Sequence, residues 1–169
     1  RTSRGLGDVY KRQVDQLIAF HSMGRHCDAW GIKALEIDSA MLAGGKFRIL
    51  TLEAFMPDGT ALKWNGKLES SSLEIDLEDL SDDVKNSETI DIYIGLPLGT
   101  RKNKEGNFRF EEKVSDPVVD DFQDGEPIDI PRLTYNLKIF VNERPPGSYS
   151  SFKLCVLKNV DGVIKVGDY

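Results

Sequence analysis

From Trp30 onward, apolar residues recur at every second position in short runs, and that period confines the chain to a fold built from strands with one buried face. Leu50, Leu52, Ala54 and Met56 alternate with Thr51, Glu53 and Phe55. Pro57-Asp58-Gly59 follows, pairing a preset φ with a residue at ease at positive φ, which is the chemistry of a tight reversal. Thr60 to Trp64 is therefore expected to return as the second strand of a hairpin.

The same alternation runs through Leu73, Ile75 and Leu77 and through Ile90, Ile92, Ile94 and Leu96, each set interleaved with acids or Tyr93 to leave one wet face. It recurs in Phe108 and Phe110, in Leu133, Tyr135, Leu137, Ile139 and Val141, and in Phe152, Leu154 and Val156. Glu105-Gly106-Asn107, Asp124-Gly125 and Pro145-Pro146-Gly147 separate the runs as turn signals. Gly44-Gly45 marks a turn before the strand that starts at Phe47. Trp30 to Asp38 breaks parity, since Trp30 and Ile32 point one way and Leu35 and Ile37 the other; a bulge or a strand buried on both faces would account for that. Before these strands, Val14, Leu17, Ile18 and His21 share one helix face and Gly24 ends the pattern, giving a short N-terminal helix. Many strands, short turns and one short helix predict a mainly β, single-domain fold of the β-sandwich or jelly-roll-like kind. Residues 81–88 and 115–131 are polar, acid-rich surface connections within it.

At 169 residues, 40% hydrophobic and 30% charged, the chain can remove roughly 70% of its unfolded surface from water and needs no staples. Cys27 and Cys155 stand far apart, and no secretory signal pattern opens the chain, which suits reduced thiols and a cytoplasmic location. No apolar run approaches the roughly 20 residues of a spanning helix, so no direct membrane insertion is expected. Arg1, Arg4, Lys11 and Arg12 against Asp8 give residues 1–13 a charge of +3, so the remainder carries −9 of the net −6. So acidic a body repels phosphate backbones, and its one cationic cluster, Arg101, Lys102 and Lys104, lacks interleaved aromatics; no nucleic-acid partner is expected.

Residues 1–13 have no apolar periodicity and no capping logic. Asp8 to Gln13 resembles the in-frame translation of a transposon end used to prepare DNA sequencing libraries. The stretch is read as a non-native, adaptor-like tail, leaving residues 14–169 as the natural segment with its true N-terminus missing.

Reactive constellations are scarce. His21, His26 and Cys27 supply three of the four groups that a structural zinc requires, and a Cys-His nucleophilic pair among them has no third orienting residue. Asp120, Asp124 and Gly125 match positions one, five and six of a calcium loop, but Phe122 and Pro131 stand where oxygen ligands belong. Nothing selects two carboxylates for glycoside hydrolysis, and no phosphate-cradling loop or nucleophile elbow is present. No catalytic, cofactor-binding or metal site is expected, and the chain is read as a non-enzyme.

The segment Trp30-Gly31-Ile32-Lys33-Ala34-Leu35-Glu36-Ile37-Asp38, then Ala40-Met41-Leu42-Ala43-Gly44, then Phe55-Met56-Pro57-Asp58-Gly59-Thr60 resembles the N-terminal region of the TssK family, also called ImpJ or VasE. The likeness continues through Ile92-Tyr93-Ile94-Gly95-Leu96-Pro97-Leu98, Arg132 to Ile139, Leu154 to Val160 and Gly167-Asp168-Tyr169. The family's usual Phe-Leu-Arg-Pro-Gln-His-Phe-like opening is absent, and residues 99–131 follow the pattern loosely. The resemblance implies a cytoplasmic homotrimeric baseplate subunit of a type VI secretion system, with a β shoulder on the baseplate wedge, a helical neck, and a head on the membrane complex. Only the shoulder is present here, so the neck and the head that would reach the membrane complex are missing. Within that reading Trp30 is expected to be a core anchor and Pro57, Asp58 and Gly59 a turn, while the wedge-contacting residues stay unassigned.

Two other readings remain open at the level of sequence. A carbohydrate-binding β-sandwich of phage or secreted origin would need exposed aromatics, for which Trp64, Tyr149 and Phe152 are the candidates. A small hydrolase would need a nucleophile that no motif supplies.

Overall fold

The computed structural model describes residues 30–66, 72–80, 87–99, 101–114, 131–160 and 163–167. Within them the fold is mainly β and β-sandwich-like, with antiparallel sheets and one short helix, as the alternation predicts. The expected helix around Val14 to His21 lies outside the described residues. The chain forms two compact units, residues 1–80 with 163–165 and residues 81–162 with 166–169.

In the first unit β1 (Gly31–Ile37), β2 (Lys46–Phe55) and β3 (Ala61–Asn65) lie side by side, and β4 (Glu74–Asp76) pairs with the start of β2. The β2–β3 hairpin closes as expected. Thr60 O accepts from Met56 N–H, Met56 O accepts from Gly59 N–H, and Asp58 Oδ1 accepts from Thr60 N–H. Gly59 sits at φ 83°, where a side chain would be strained.

The parity break in β1 is a bulge. Ile32 faces Ala54 but Ala34 faces Glu53, which leaves Lys33 as the extra residue. A second irregularity corrects the sequence reading of β2: Glu36 faces Thr51 and Ile37 faces Ile49, so Leu50 has no opposite residue. Alternation slips there by one. Phe47 and Ile49 are buried before it and Leu52, Ala54 and Met56 after it, while Leu50 is only half-buried. Its carbonyl accepts from Gly66 N–H at 2.9 Å, so the displaced backbone keeps a partner.

Between β1 and β2 lies α1 (Ser39–Ala43), a helix that periodicity missed because five residues hold little more than one turn. Its signal was capping. Asp38 Oδ1 accepts from the N–H groups of Ala40 and Met41, and Gly44 with Gly45 at φ 83° ends the helix.

The second unit carries a sheet in the order β9-β5-β8, formed by β5 (Thr89–Pro97), β8 (Lys138–Val141) and β9 (Tyr149–Val160). Ile90, Ile92, Ile94 and Leu96 on central β5 are fully buried, each contributing about 1.5–3 kcal/mol of transfer free energy. One expectation fails on its other face, which becomes dry at Gly95 and Pro97. β9 repeats the device seen in β2. Ile92 faces Cys155 and Tyr93 faces Lys153, leaving Leu154 extra, so the buried row passes from Phe152 and Leu154 to Cys155 and Leu157, and Val156 is half-buried instead of inward.

The run from Leu133 to Val141 is two strands rather than one. β7 (Pro131–Tyr135) pairs with β6 (Phe110–Val114) in a separate two-stranded ribbon, and β8 joins the larger sheet. The break falls at Asn136–Leu137, where Tyr135 O accepts from Leu137 N–H in a three-residue turn. Asn136 is buried; its N–H donates to Arg109 O and its Nδ2 to Phe108 O, both at 3.0 Å.

Candidate partner-binding surface

Four acids of the described strands, Glu53, Glu74, Asp76 and Asp91, form ion pairs that hold register. Lys46 Nζ lies 3.0 Å from Asp76 Oδ2 and Arg48 Nε 3.0 Å from Glu74 Oε2, both between directly opposed residues of β2 and β4. Glu53 takes Lys33 at 2.9 Å and its cross-strand neighbour Lys63 at 3.4 Å. The Lys33 hydrogen bond, ahead of the charges themselves, holds the Glu53 carboxyl below its usual value. Asp91 likewise raises Lys153 by hydrogen bonding at 2.8 Å. Opposite charges across a sheet support pairing.

No group of three or more His, Cys, Asp or Glu side chains gathers among the described residues. His21, His26, Cys27, Asp120, Phe122, Asp124 and Gly125 lie outside them. Cys155 is buried and free, and desolvation pushes its thiol up to about 12. So protonated a sulfur is a poor nucleophile at neutral pH. Among the described residues no helix is long and apolar enough to cross a membrane.

The aromatics that a sugar-binding face would need are core residues: Trp64 is 5% exposed, Tyr149 6% and Phe152 4%. That removes the candidates on which the carbohydrate reading depended. The outward aromatics are others. Trp30, expected as a core anchor, is 54% exposed, and it precedes the first paired residue of β1. Phe108, Phe110 and Leu133, expected inward, are 48%, 38% and 63% exposed.

Phe110 and Leu133 belong to the ribbon, and Phe108 lies just before it. Phe110 faces Tyr135 and Glu112 faces Leu133, so all four side chains share one face. The Phe110 and Tyr135 rings stack with centroids 5.3 Å apart. The approach to the ribbon is anchored: Arg109 Nη1 donates to Pro97 O at 3.0 Å, Asn107 Nδ2 to Tyr149 Oη at 2.8 Å, and Ser148 Oγ to Glu105 Oε2 at 2.6 Å. Lys102 Nζ stands 5.1 Å from the Phe108 ring centroid, so the cationic turn does engage an aromatic. Apolar side chains on a hydrogen-bonded support, left in water, are the usual mark of a contact surface. Period two could not reveal it, since alternation does not say which face is wet.

Ion pairs that hold register, a protonated buried thiol and an exposed apolar ribbon define a β scaffold with an apolar surface left in water. The chain belongs to the TssK family: the family model described as bacterial type VI secretion, VC_A0110, EvfL, ImpJ, VasE matches residues 10–169. No curated protein sequence matches. Among solved structures, the fold is similar to a chain of the "type VI secretion system TssK-TssF-TssG baseplate subcomplex", with TM-score 0.69 and 18% identity over 100% of this chain and 57% of that one. It is similar to a chain of "the baseplate complex from the type VI secretion system", with TM-score 0.65 and 20% identity over 93% of this chain and 36% of the other. "TssK from T6SS EAEC in complex with nanobody nb18" gives TM-score 0.59 and 18% identity over 93% of this chain and 52% of that one. The chain thus spans about a third to somewhat over half the length of these relatives.

Proposed function

We propose that residues 14–169 are the N-terminal β shoulder of a structural baseplate subunit of a bacterial type VI secretion system, acting in the cytoplasm by attaching to the baseplate wedge. The whole subunit is a homotrimer that links the wedge to the membrane complex, and this segment carries the wedge-facing part of that work. No covalent step is assigned to it. The observation that carries the reading is family membership across residues 10–169 together with a fold matched along its whole length in a baseplate subcomplex. The described surface supports it: Asp76 and Glu74 are spent on cross-strand pairs, and the exposed Phe110 and Leu133 sit on an anchored ribbon.

Affinity-tagged chain, mixed with the wedge subunits encoded beside its gene, tests the proposal by pull-down. Stoichiometric retention is expected. A well-folded chain that retains none of them contradicts it.

A further inference from the structure

Among the described residues no strand pairs with the outer edge of β6 in the β6–β7 ribbon, and the chemistry of that edge selects a partner. Asn136 N–H donates to Arg109 O, which makes that opposed pair a hydrogen-bonded one. Antiparallel pairs alternate, so Glu111 with Thr134 is also hydrogen-bonded, whereas Phe110 with Tyr135 and Glu112 with Leu133 are not. The main-chain N–H and C=O groups of Phe110 and Glu112 therefore point away from β7. The edge of β7 is blunted by comparison: it starts at Pro131, which has no N–H to offer, and the outward carbonyl of Tyr135 is taken by Leu137 N–H. Side chains along the open edge match its backbone. Phe110, Glu111 and Glu112 are exposed, and neither acid forms an ion pair with a described residue.

We propose that the outer edge of β6 takes an extended segment of a partner protein as an added antiparallel strand, two adjacent basic residues opposing Glu112 and Glu111 and an apolar residue opposing Phe110. This rests on the reading of the chain as a partner-binding scaffold and names one element of its contact. An added strand turns a two-stranded ribbon, marginal by itself, into a three-stranded one and shields Phe110. Charge complementarity favours that occupant: a second copy of β6 paired with Glu111 on Glu111, or with Glu112 on Glu112, would set acid against acid, which destabilises directly opposed pairs.

The probe is the fluorescein-labelled peptide Thr-Val-Thr-Lys-Lys-Ile-Glu-Thr, read by anisotropy against the chain, with the charge-reversed peptide Thr-Val-Thr-Glu-Glu-Ile-Lys-Thr beside it. Saturable binding of the first peptide alone is expected. Glu112→Pro removes an outward donor and leaves the β6–β7 ladder intact, and E111K/E112K keeps the backbone; each is expected to weaken binding by about tenfold or more, with thermal unfolding as control for folding. Residue-resolved hydrogen exchange should show new protection at Phe110 and Glu112 and little change at Glu111. No binding by a chain that still retains wedge subunits overturns the inference and leaves the proposed function standing; loss of both overturns both. Protection of Phe110 and Glu112 before peptide is added, or concentration-dependent dimers broken by Glu112→Pro, would assign the edge to the chain itself or to a second copy and overturn the inference.

Discussion

Phe140 and Tyr149 meet edge to face with ring centroids 5.1 Å apart, and the space between them and β5 is that of a missing side chain. A Cβ on Gly95 would stand 2.9 Å from Phe140 Cε2 and 3.2 Å from Tyr149 Cδ1. Gly95 is paired on both sides, with Lys138 of β8 and Ser151 of β9, so the backbone has little room to retreat. Gly95→Ala is expected to lower stability by about 1–3 kcal/mol through overpacking. In the Phe140→Leu background the same change should cost less, because the nearest ring is gone, and denaturant titration of the double-mutant cycle reads the difference.

Asn136 ties the point where the chain leaves the ribbon for the larger sheet. Asn136→Ala takes the side-chain donor from Phe108 O, and losing that hydrogen bond costs about 0.5–1.5 kcal/mol. Faster hydrogen exchange in β6 and β7 than in β5 is expected in that variant. Uniform loss of protection along the chain would mean that the anchor serves the whole fold instead.

Cys155 should be silent toward thiol reagents in the folded chain. With its thiol pushed up to about 12 by burial, the thiolate is on the order of one part in 10⁴ at pH 8. In a Cys27→Ser background, Ellman's reagent is expected to react on the order of 10³-fold more slowly before unfolding than after it. Comparable rates would place Cys155 at the surface.

Glu53 makes one part of stability pH-dependent in a known direction. Its folded carboxyl is held below the usual value, chiefly by the Lys33 hydrogen bond, so the unfolded chain binds this proton more readily. Its stabilising contribution is present above the ordinary carboxylate range and is lost as pH falls through the lowered value. Melting temperatures of the chain and its Glu53→Gln variant should therefore differ most near neutrality and converge in acid. Added salt should shrink the neutral difference, since the pairs are exposed.

The strands and their turns were legible in the sequence because burial on one face writes a period of two, and Pro57-Asp58-Gly59 writes a turn. What escaped has specific causes. Leu50 and Leu154 are bulge residues, and each shifts the buried row by one position, which no fixed period can represent. Asn136 looks like one more polar residue in an alternating run, yet its hydrogen bonds make it the corner between two sheets. α1 was too short for periodicity, though Asp38 and Gly44 bracket it as a cap and a stop. The surface was the least legible part. Phe110 and Leu133 have the same apolar signature as Ile92 and Ile94, and only the pairing shows that one set faces water and the other the core.

Native mass spectrometry of this chain mixed with the wedge subunits of the same gene cluster tests scaffold attachment most directly. A discrete complex that forms without nucleotide, metal or turnover of any added compound is expected, at a fixed ratio of chain to wedge. Free chain and free wedge masses alone, from components that each show folded charge states, would contradict it.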